Sequence, residues 1–331
     1  MRVLLTGGAG FIGHHIVEHI LKKTDWEIVL LDRLDLSGNL NRVHEVLTGI
    51  PGYFREGTQR IKWVYHDFKA PISEVVARSI GRIHGILHVG ASTHVDRSIS
   101  DPISFVYDNV VGTANVLEWM RNFASDAWMV YFSTDEVFGP APEGKAYGEW
   151  ERYNSGNPYS ASKAGGEELC LAYANTYQLD IRVSHCMNVF GERQHAEKFI
   201  PLVMKKVLEG DVVTIHANKE KTKAGSRFYI HARNVADAVL FIIEHGVKRD
   251  KYNIVGSKEV DNLALATMIA EYVGKPLRYE MVDFHSSRPG HDLRYALDGA
   301  KLKAMGWEPA VDFEVSLQRT VEWTMKHKHW L

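Results

Sequence analysis

Thr134, Asp135, Glu136, Tyr159 and Lys163, near the middle of the chain, are residue types that can do chemistry together. Tyr159 and Lys163 lie four apart at the start of a helical pattern, so they share one face. A phenol with its ordinary pKa near ~10 is a poor base at neutral pH. A lysine ammonium one turn along would favour the phenolate. Tyr159 can then take the proton of a substrate hydroxyl while hydride leaves the same carbon for a bound acceptor, with Thr134 holding that hydroxyl. Asp135 and Glu136 add a second step. Beside a newly formed ketone the neighbouring C–H becomes acidic, so one carboxylate can abstract it while a second, protonated carboxyl serves a departing hydroxyl. Adjacent acids in a closed site tend to divide in that way, one ionised and one neutral. The same two acids could instead cap the turn after a strand, and spacing alone leaves both readings open.

Positioning these groups requires a sheet, and the sequence supplies one. The apolar run Ala127–Phe132 reads as a buried parallel strand whose carboxyl end presents Ser133 and Thr134, where open α/β sheets place ligands. At the start of the chain, Arg2–Leu5 reads as a strand, followed by Thr6-Gly7-Gly8-Ala9-Gly10-Phe11-Ile12-Gly13 and a helical pattern through Lys23. A pyrophosphate sits against backbone N–H groups at such a turn. Gly7 allows the tight turn, Gly10 the close approach, and Gly13 the packing of helix on strand. A second strand, Glu27–Leu31, ends in Asp32, ~20 residues on, where a Rossmann unit places its acid for the adenosine ribose. Asp32 repels a 2′-phosphate and favours NAD over NADP, although the adjacent Arg33 could accommodate that phosphate.

Lys62–His66 reads as a third strand ending in Asp67 and Phe68, with Asp67 either an adenine contact or a turn residue. Gly85–Val89 reads as a fourth, running into Gly90, Ala91, Ser92 and Thr93, whose small side chains let a cofactor lie against the backbone. Helical patterns are expected over Ile103–Asn122 and Tyr159–Tyr177. The fold class is therefore α/β, a Rossmann-like doubly wound parallel sheet with a smaller mixed α/β C-terminal substrate lobe. Residues 1–186 form the expected NAD-binding domain, with a returning segment near 227–246. Residues 187–226 and 247–331 form the expected lobe, which would close over the cofactor. The Lys-rich stretch Asn218–Ser226 reads as an exposed loop.

Composition narrows the partners. A formal net charge of −2 on 331 residues gives no electrostatic footprint for nucleic acid or an anionic membrane. Two cysteines, Cys170 and Cys186, in no metal-like spacing argue against a disulfide framework and for a reducing compartment. With no signal-peptide pattern and no apolar run of ~20 residues, a cytoplasmic location is expected. No metal site is read.

The glycine fingerprint, the strand-end Ser133-Thr134 and the Tyr159/Lys163 pair resemble the extended short-chain dehydrogenase/reductases that act on nucleotide sugars. Within that family, Thr134-Asp135-Glu136 is similar to the Thr-Asp-Glu of the dTDP-glucose 4,6-dehydratases. The resemblance runs through Ser92–Ile99, Asn109–Thr113, Asn157–Ala164, Gln194–Pro201 and Arg288–Tyr295. It implies a tightly held, recycled NAD, contacted also by Phe11, Ile12, Val89, Asn109 and Ser133. It implies oxidation at C4 of a nucleotide-diphosphate hexose, loss of water across C5 and C6, and return of the hydride to C6. Tyr159 would then be the C4 base, Glu136 the C5 base and Asp135 the acid at C6. Thr93 and Asn188 would contact sugar and phosphates, and Arg227 and Arg288 the pyrophosphate, with His291 assisting. Glu197, Lys198, Phe199, His216 and Asn262 would complete the substrate contacts. The family's Tyr-Gly-x-Gly run before the arginine is replaced here by His216-Ala217 and the Lys-rich loop, so the base stays open between dTDP and UDP. A 4-epimerase or decarboxylase of the same fold, and a catalytically silent NAD-binding scaffold, are the alternatives. A homodimer, paired through Ile103–Asn122 and Tyr159–Tyr177, is the state the resemblance implies.

Overall fold

The computed structural model describes residues 1–55, 57, 59–284 and 293–331. Its strands are β1 (Arg2–Thr6), β2 (Glu27–Asp32), β3 (Ile61–Tyr65), β4 (Gly85–His88), β5 (Trp128–Thr134), β6 (Asp180–Cys186), β7 (Asn188–Phe190), β8 (Val213–Ala217), β9 (Ser226–His231), β10 (Lys251–Ile254), β11 (Glu259–Asp261) and β12 (Tyr279–Asp283). Seven of them make one sheet in the order β10-β6-β5-β4-β1-β2-β3. The pairs β1/β2, β1/β4, β2/β3 and β4/β5 are parallel. Strand order reverses between β1 and β4, the switch point at which such sheets bind ligands beyond their carboxyl ends. Helices cover both faces, so the inner strands read as continuous apolar runs rather than alternating ones. Leu4, Val29, Ile86, Met129, Tyr131 and Val183 are all fully buried in one core cluster. Each such aliphatic side chain contributes roughly 1.5–3 kcal/mol by leaving water.

Two compact units divide the chain. The first comprises Met1–Val137, Asn157–His185 and Val239–Tyr252, and the second Phe138–Gly156, Cys186–Ala238 and Asn253–Leu331. Against the sequence reading, the returning segment is Val239–Tyr252 rather than 227–246, and Phe138–Gly156 groups with the second unit. The reason is tertiary. Phe138 packs on Tyr147 and Tyr153 at 6.0 and 5.8 Å between ring centroids, and Tyr147 bridges to Leu297. Asn253 clamps the carbonyls of Tyr147 and Asp298 at 3.0 Å each. In the first unit, Arg182 donates to the Ile242 and Ile243 carbonyls at the end of helix Ala232–His245, which anchors the returning segment. The second unit holds a three-stranded sheet, β11-β9-β7, and a parallel pair, β12-β8, around Phe190, Ile215, Leu265, Leu317 and Val321.

The helical pattern over Ile103–Asn122 is not one helix. It runs as Pro102–Val106, a π-helical turn over Tyr107–Val111, and Gly112–Phe123. The π turn buries Asp108 and Asn109 side by side, an outcome the 3.6-residue pattern cannot signal. Among the described residues, no helix is long and apolar enough to cross a membrane, and no group of three His, Cys, Asp or Glu side chains could hold a metal ion. Cys170 and Cys186 are buried, and neither is joined in a disulfide.

The carboxyl edge of β4 is set by a buried relay. The Gly90 N–H donates to the Thr6 hydroxyl, which donates to His88 Nδ1 at 2.8 Å. His88 Nε2–H donates to the Thr113 hydroxyl at 3.1 Å, and Thr113 donates to the Asn109 carbonyl. Both hydroxyl protons of this relay are used, which requires the neutral Nε2–H tautomer. Burial lowers the imidazole pKa to about 3, and the Lys163 ammonium adds to the effect. The unfolded chain therefore binds a proton that the folded chain refuses between about pH 6.5 and about pH 3. Stability is full above the upper value and falls with pH at up to ~1.4 kcal/mol per unit. The His88→Asn variant, which keeps an acceptor for Thr6, is expected to lose roughly 2 kcal/mol of the pH dependence between about pH 6.5 and about pH 5. Melting temperatures across that range check it; equal slopes in parent and variant would show that His88 does not carry the effect.

Candidate active site

Between β1 and helix Phe11–Lys23 the glycine turn forms as its spacing predicts. Gly7 adopts φ +69°, and a Cβ there would lie 2.7 Å from the Gly90 Cα, so the first turn and the end of β4 touch backbone to backbone. A Cβ at Gly13 would fall 2.2 Å from the Gly7 carbonyl oxygen. The helix begins at Gly10 with no capping side chain and no acid in its first turn, leaving Phe11, Ile12 and Gly13 at a helix N-terminus suited to a phosphate. Asp32 ends β2 buried, accepting from the Ala9 and Leu34 N–H groups at 2.9 and 2.8 Å. These bonds fix the orientation of the carboxylate at the end of β2. The cradle fits a dinucleotide, whose holding residues would be this turn, Asp32 and the Val89–Thr93 segment.

Arg33 does not point to open solvent. Its guanidinium grips Asp108 through two bonds of 2.6 and 2.8 Å, and pairs with Asp35 and, at 3.5 Å, with Asp67. The Asp108 bond, against the cost of burial, raises the pKa of this arginine still further. Burial opposes ionisation of Asp108, but the Arg33 and Ser92 bonds outweigh it and hold the carboxyl below the usual range. Asp67 also accepts from the Lys69 N–H at 3.0 Å, a turn role alongside its ion pair. Phe68 packs edge-on to His88 at 5.3 Å. Asn109 is a clamp: it accepts from the Ser92 N–H and donates to the Ser92 carbonyl and the Ser162 hydroxyl, each at 2.9 Å. It ties the Gly90–Thr93 segment to the helix Pro158–Tyr177. Thr93 itself is exposed.

Ser133 and Thr134 close β5, and Asp135–Phe138 continue as a 3-10 turn. Thr134 donates its hydroxyl to Asp135 Oδ1 at 2.9 Å. Asn157 Nδ2 donates to Glu136 Oε2 at 3.1 Å. The two acids thus have unequal surroundings: Asp135 is 5% exposed beside a hydroxyl, Glu136 half-buried beside an amide. Asn157 also caps the helix Pro158–Tyr177 in a reciprocal capping box with Ser160, with Pro158 at its first position. One residue therefore links the acid turn to the helix that carries Tyr159 and Lys163. The Tyr159 N–H donates to the Ser98 hydroxyl at 3.1 Å, and its ring meets Phe105 edge-on. Lys163 Nζ lies 4.2 Å from the centre of the Tyr131 ring. Sequence reasoning missed Asn157, Asp108 and His88. Only Asn157 left a local sign, the Asn-Pro step before a helical pattern.

In the second unit, β9 sets Arg227 and Tyr229 on one face, and Asn188 of β7 pairs opposite Tyr229. Tyr229 donates to Asn262 Oδ1 at 2.8 Å. Arg227 donates to the Ser226 and Leu293 carbonyls at 2.7 Å each and lies over the Tyr295 ring at 4.7 Å. Asn188 and Asn262 thus both neighbour Tyr229, two residues along β9 from Arg227. His216 sits on β8 against Phe284, its carbonyl accepting from the Gly225 N–H. Glu197 is exposed beside His195, and Lys198 and Phe199 begin the helix Phe199–Glu209, where Phe199 leans on the core. Arg288 and His291 lie outside the described residues.

The model of the NAD dependent epimerase/dehydratase family matches residues 3–255, and the chain belongs to that family. A curated relative, a dTDP-glucose 4,6-dehydratase of Escherichia coli, is 31% identical over 361 aligned positions, which cover all of this chain and 95% of the relative. A solved dTDP-glucose 4,6-dehydratase from Streptomyces venezuelae with NAD bound superposes with a TM-score of 0.88 at 31% identity, covering 100% and 98% of the two chains. A UDP-glucose 4-epimerase from Thermus thermophilus, in complex with NAD, gives 0.85 at 28% identity, covering 97% and 98%. NAD is the cofactor, and the Rossmann-like reading of the sequence holds.

Proposed function

We propose that this chain is an NAD-dependent nucleotide-sugar 4,6-dehydratase, a hydro-lyase that converts dTDP-glucose to its 4-keto-6-deoxy sugar. The carrying observation is the Thr134-Asp135-Glu136 turn at the end of β5, tied by Asn157 to the helix of Tyr159 and Lys163. A 4-epimerase needs the tyrosine and lysine but has no use for an acid and a base at C5 and C6. The relatives named for dTDP-glucose support that base over UDP.

Held by the glycine turn, Asp32 and the Val89–Thr93 segment, NAD would supply a hydride acceptor for C4 and a hydride source for C6. Tyr159 takes the proton of the C4 hydroxyl, and the Lys163 charge favours its phenolate. Thr134 holds that hydroxyl once it exchanges its present bond to Asp135. With a ketone at C4, Glu136 removes the C5 proton, and Asp135 supplies the proton with which the C6 hydroxyl leaves as water. Arg227 steadies the pyrophosphate, a planar cation already oriented by two carbonyls and a ring. Asn188 and Asn262 flank it.

Purified protein given dTDP-glucose or UDP-glucose without added NAD is expected to dehydrate the thymidine sugar alone, read by mass spectrometry as a loss of one water. No loss from either sugar, even with NAD supplied, would overturn the proposal. In the Asp135→Asn variant, elimination is expected to slow by about 100-fold or more while C4 oxidation persists as nicotinamide absorbance. Unchanged elimination would remove the acid role of Asp135. We also propose a homodimer. Ile103, Val106 and Tyr107 are 61%, 43% and 54% exposed on the segment expected to pair, and light scattering at micromolar concentration is expected to give twice the chain mass rather than the monomer's.

A further inference from the structure

The end of β2 carries two contradictory residues. Asp32 suits a free ribose, whereas an arginine in the next position is what a 2′-phosphate would seek. In this structure the arginine is taken. Arg33 makes a fork-to-fork pair with Asp108, which is 4% exposed and lies on the π turn after β4, and it also meets Asp35 and Asp67. Planar guanidinium and planar carboxylate match in two parallel bonds, the strongest common geometry for such a pair. Asp108 is itself fixed from the other side, accepting from the Ser92 hydroxyl and lying 3.7 Å from Lys69 Nζ. Around this corner stand four carboxylates, Asp32, Asp35, Asp67 and Asp108, against two cations, Arg33 and Lys69.

We infer that Asp108 is a specificity-determining residue for the cofactor: by holding Arg33 in a bidentate pair it withdraws the arginine beside Asp32 that would welcome a 2′-phosphate. Discrimination against NADP then rests on two acids from different parts of the chain. Asp32 repels the phosphate directly, and Asp108 removes its counter-ion. The buried partner matters more than the exposed ones. Asp35 and Asp67 are both more than a third exposed at their side chains, where water weakens the pairing.

The test equilibrates the protein with equal concentrations of NAD+ and NADP+, removes free nucleotide by gel filtration, denatures the protein, and quantifies the released nucleotides by mass spectrometry. The parent is expected to retain NAD with a trace of NADP. Asp108→Asn, and Asp108→Ser as a shorter variant that keeps a polar group for Ser92, are expected to raise the retained NADP-to-NAD ratio by about 10-fold. Adding Arg33→Ala to either is expected to cancel the rise. Asp35→Asn, a surface change that leaves the Asp108 pair intact, is expected to move the ratio by less than about twofold. An unmoved ratio in the folded Asp108 variants overturns the inference. So does a rise that survives loss of Arg33, or an equal rise in Asp35→Asn, since either would assign the effect to net charge.

Discussion

The helix Pro158–Tyr177 must run almost in contact with the π-turn backbone and the Tyr131 side chain of β5, and much of the first unit follows from that demand. A Cβ at Gly166 would lie 2.4 Å from the Tyr131 hydroxyl and 2.6 Å from the Asn109 carbonyl, distances no real side chain tolerates. Close approach buries a broad face of the helix, and one stripe of that face is polar. Tyr159, Lys163 and Glu167, each four residues apart, are 8%, 4% and 0% exposed. A buried polar stripe is costly unless each member finds a partner. Lys163 lies over the Tyr131 ring, and Glu167 meets His185 and Lys251 at 2.9 Å each. Burial pushes the Glu167 carboxyl up, but the His185 ring and the Lys251 ammonium outweigh it and hold the group well below the ordinary carboxylate range. The ion cluster one turn beyond Lys163 thus anchors the helix to β6 and β10 without using the charge the site requires.

The same economy of partners governs the cofactor edge. Asn109 spends its amide on both backbone groups of Ser92 and on Ser162, and its carbonyl terminates the relay from Gly90 through His88. The glycine turn, the end of β4, the π turn and the long helix are therefore joined by directional bonds rather than by packing alone. Such fully satisfied networks rigidify a site, because loosening any one member strands a buried donor or acceptor. Positions of reacting groups need tolerances of about half an ångström, and this is the kind of support that supplies them.

What could be read from the sequence was local in origin. The glycine turn, Asp32, the strand ends and the Tyr159/Lys163 pair all declare themselves within a window of one supersecondary unit, where the periods of strand and helix apply. Boundaries came within a residue or two, as with β3, which starts at Ile61 rather than Lys62. What could not be read depended on distant pairing. The π turn hides inside a good helical pattern, and the grouping of Phe138–Gly156 with the second unit rests on Leu297 and Asn253. His88 looked like one more residue of an apolar strand, yet Thr6 and Thr113 give it a role.

Arg33 and Arg227 make the physical distinction sharpest. Both were read as cations for phosphate, Arg33 from its place beside Asp32 at a strand end and Arg227 from the family resemblance. The fold surrounds Arg33 with carboxylates, which consume its charge as well as its donors. Among the described partners of Arg227, two carbonyls and an aromatic face orient it, and these carry no net charge. A guanidinium held by neutral acceptors keeps its attraction for an anion while losing the freedom it would otherwise surrender on binding, and one held by acids keeps neither. Residue type therefore states what a side chain can do, and the charge of its neighbours decides whether it remains able to do it.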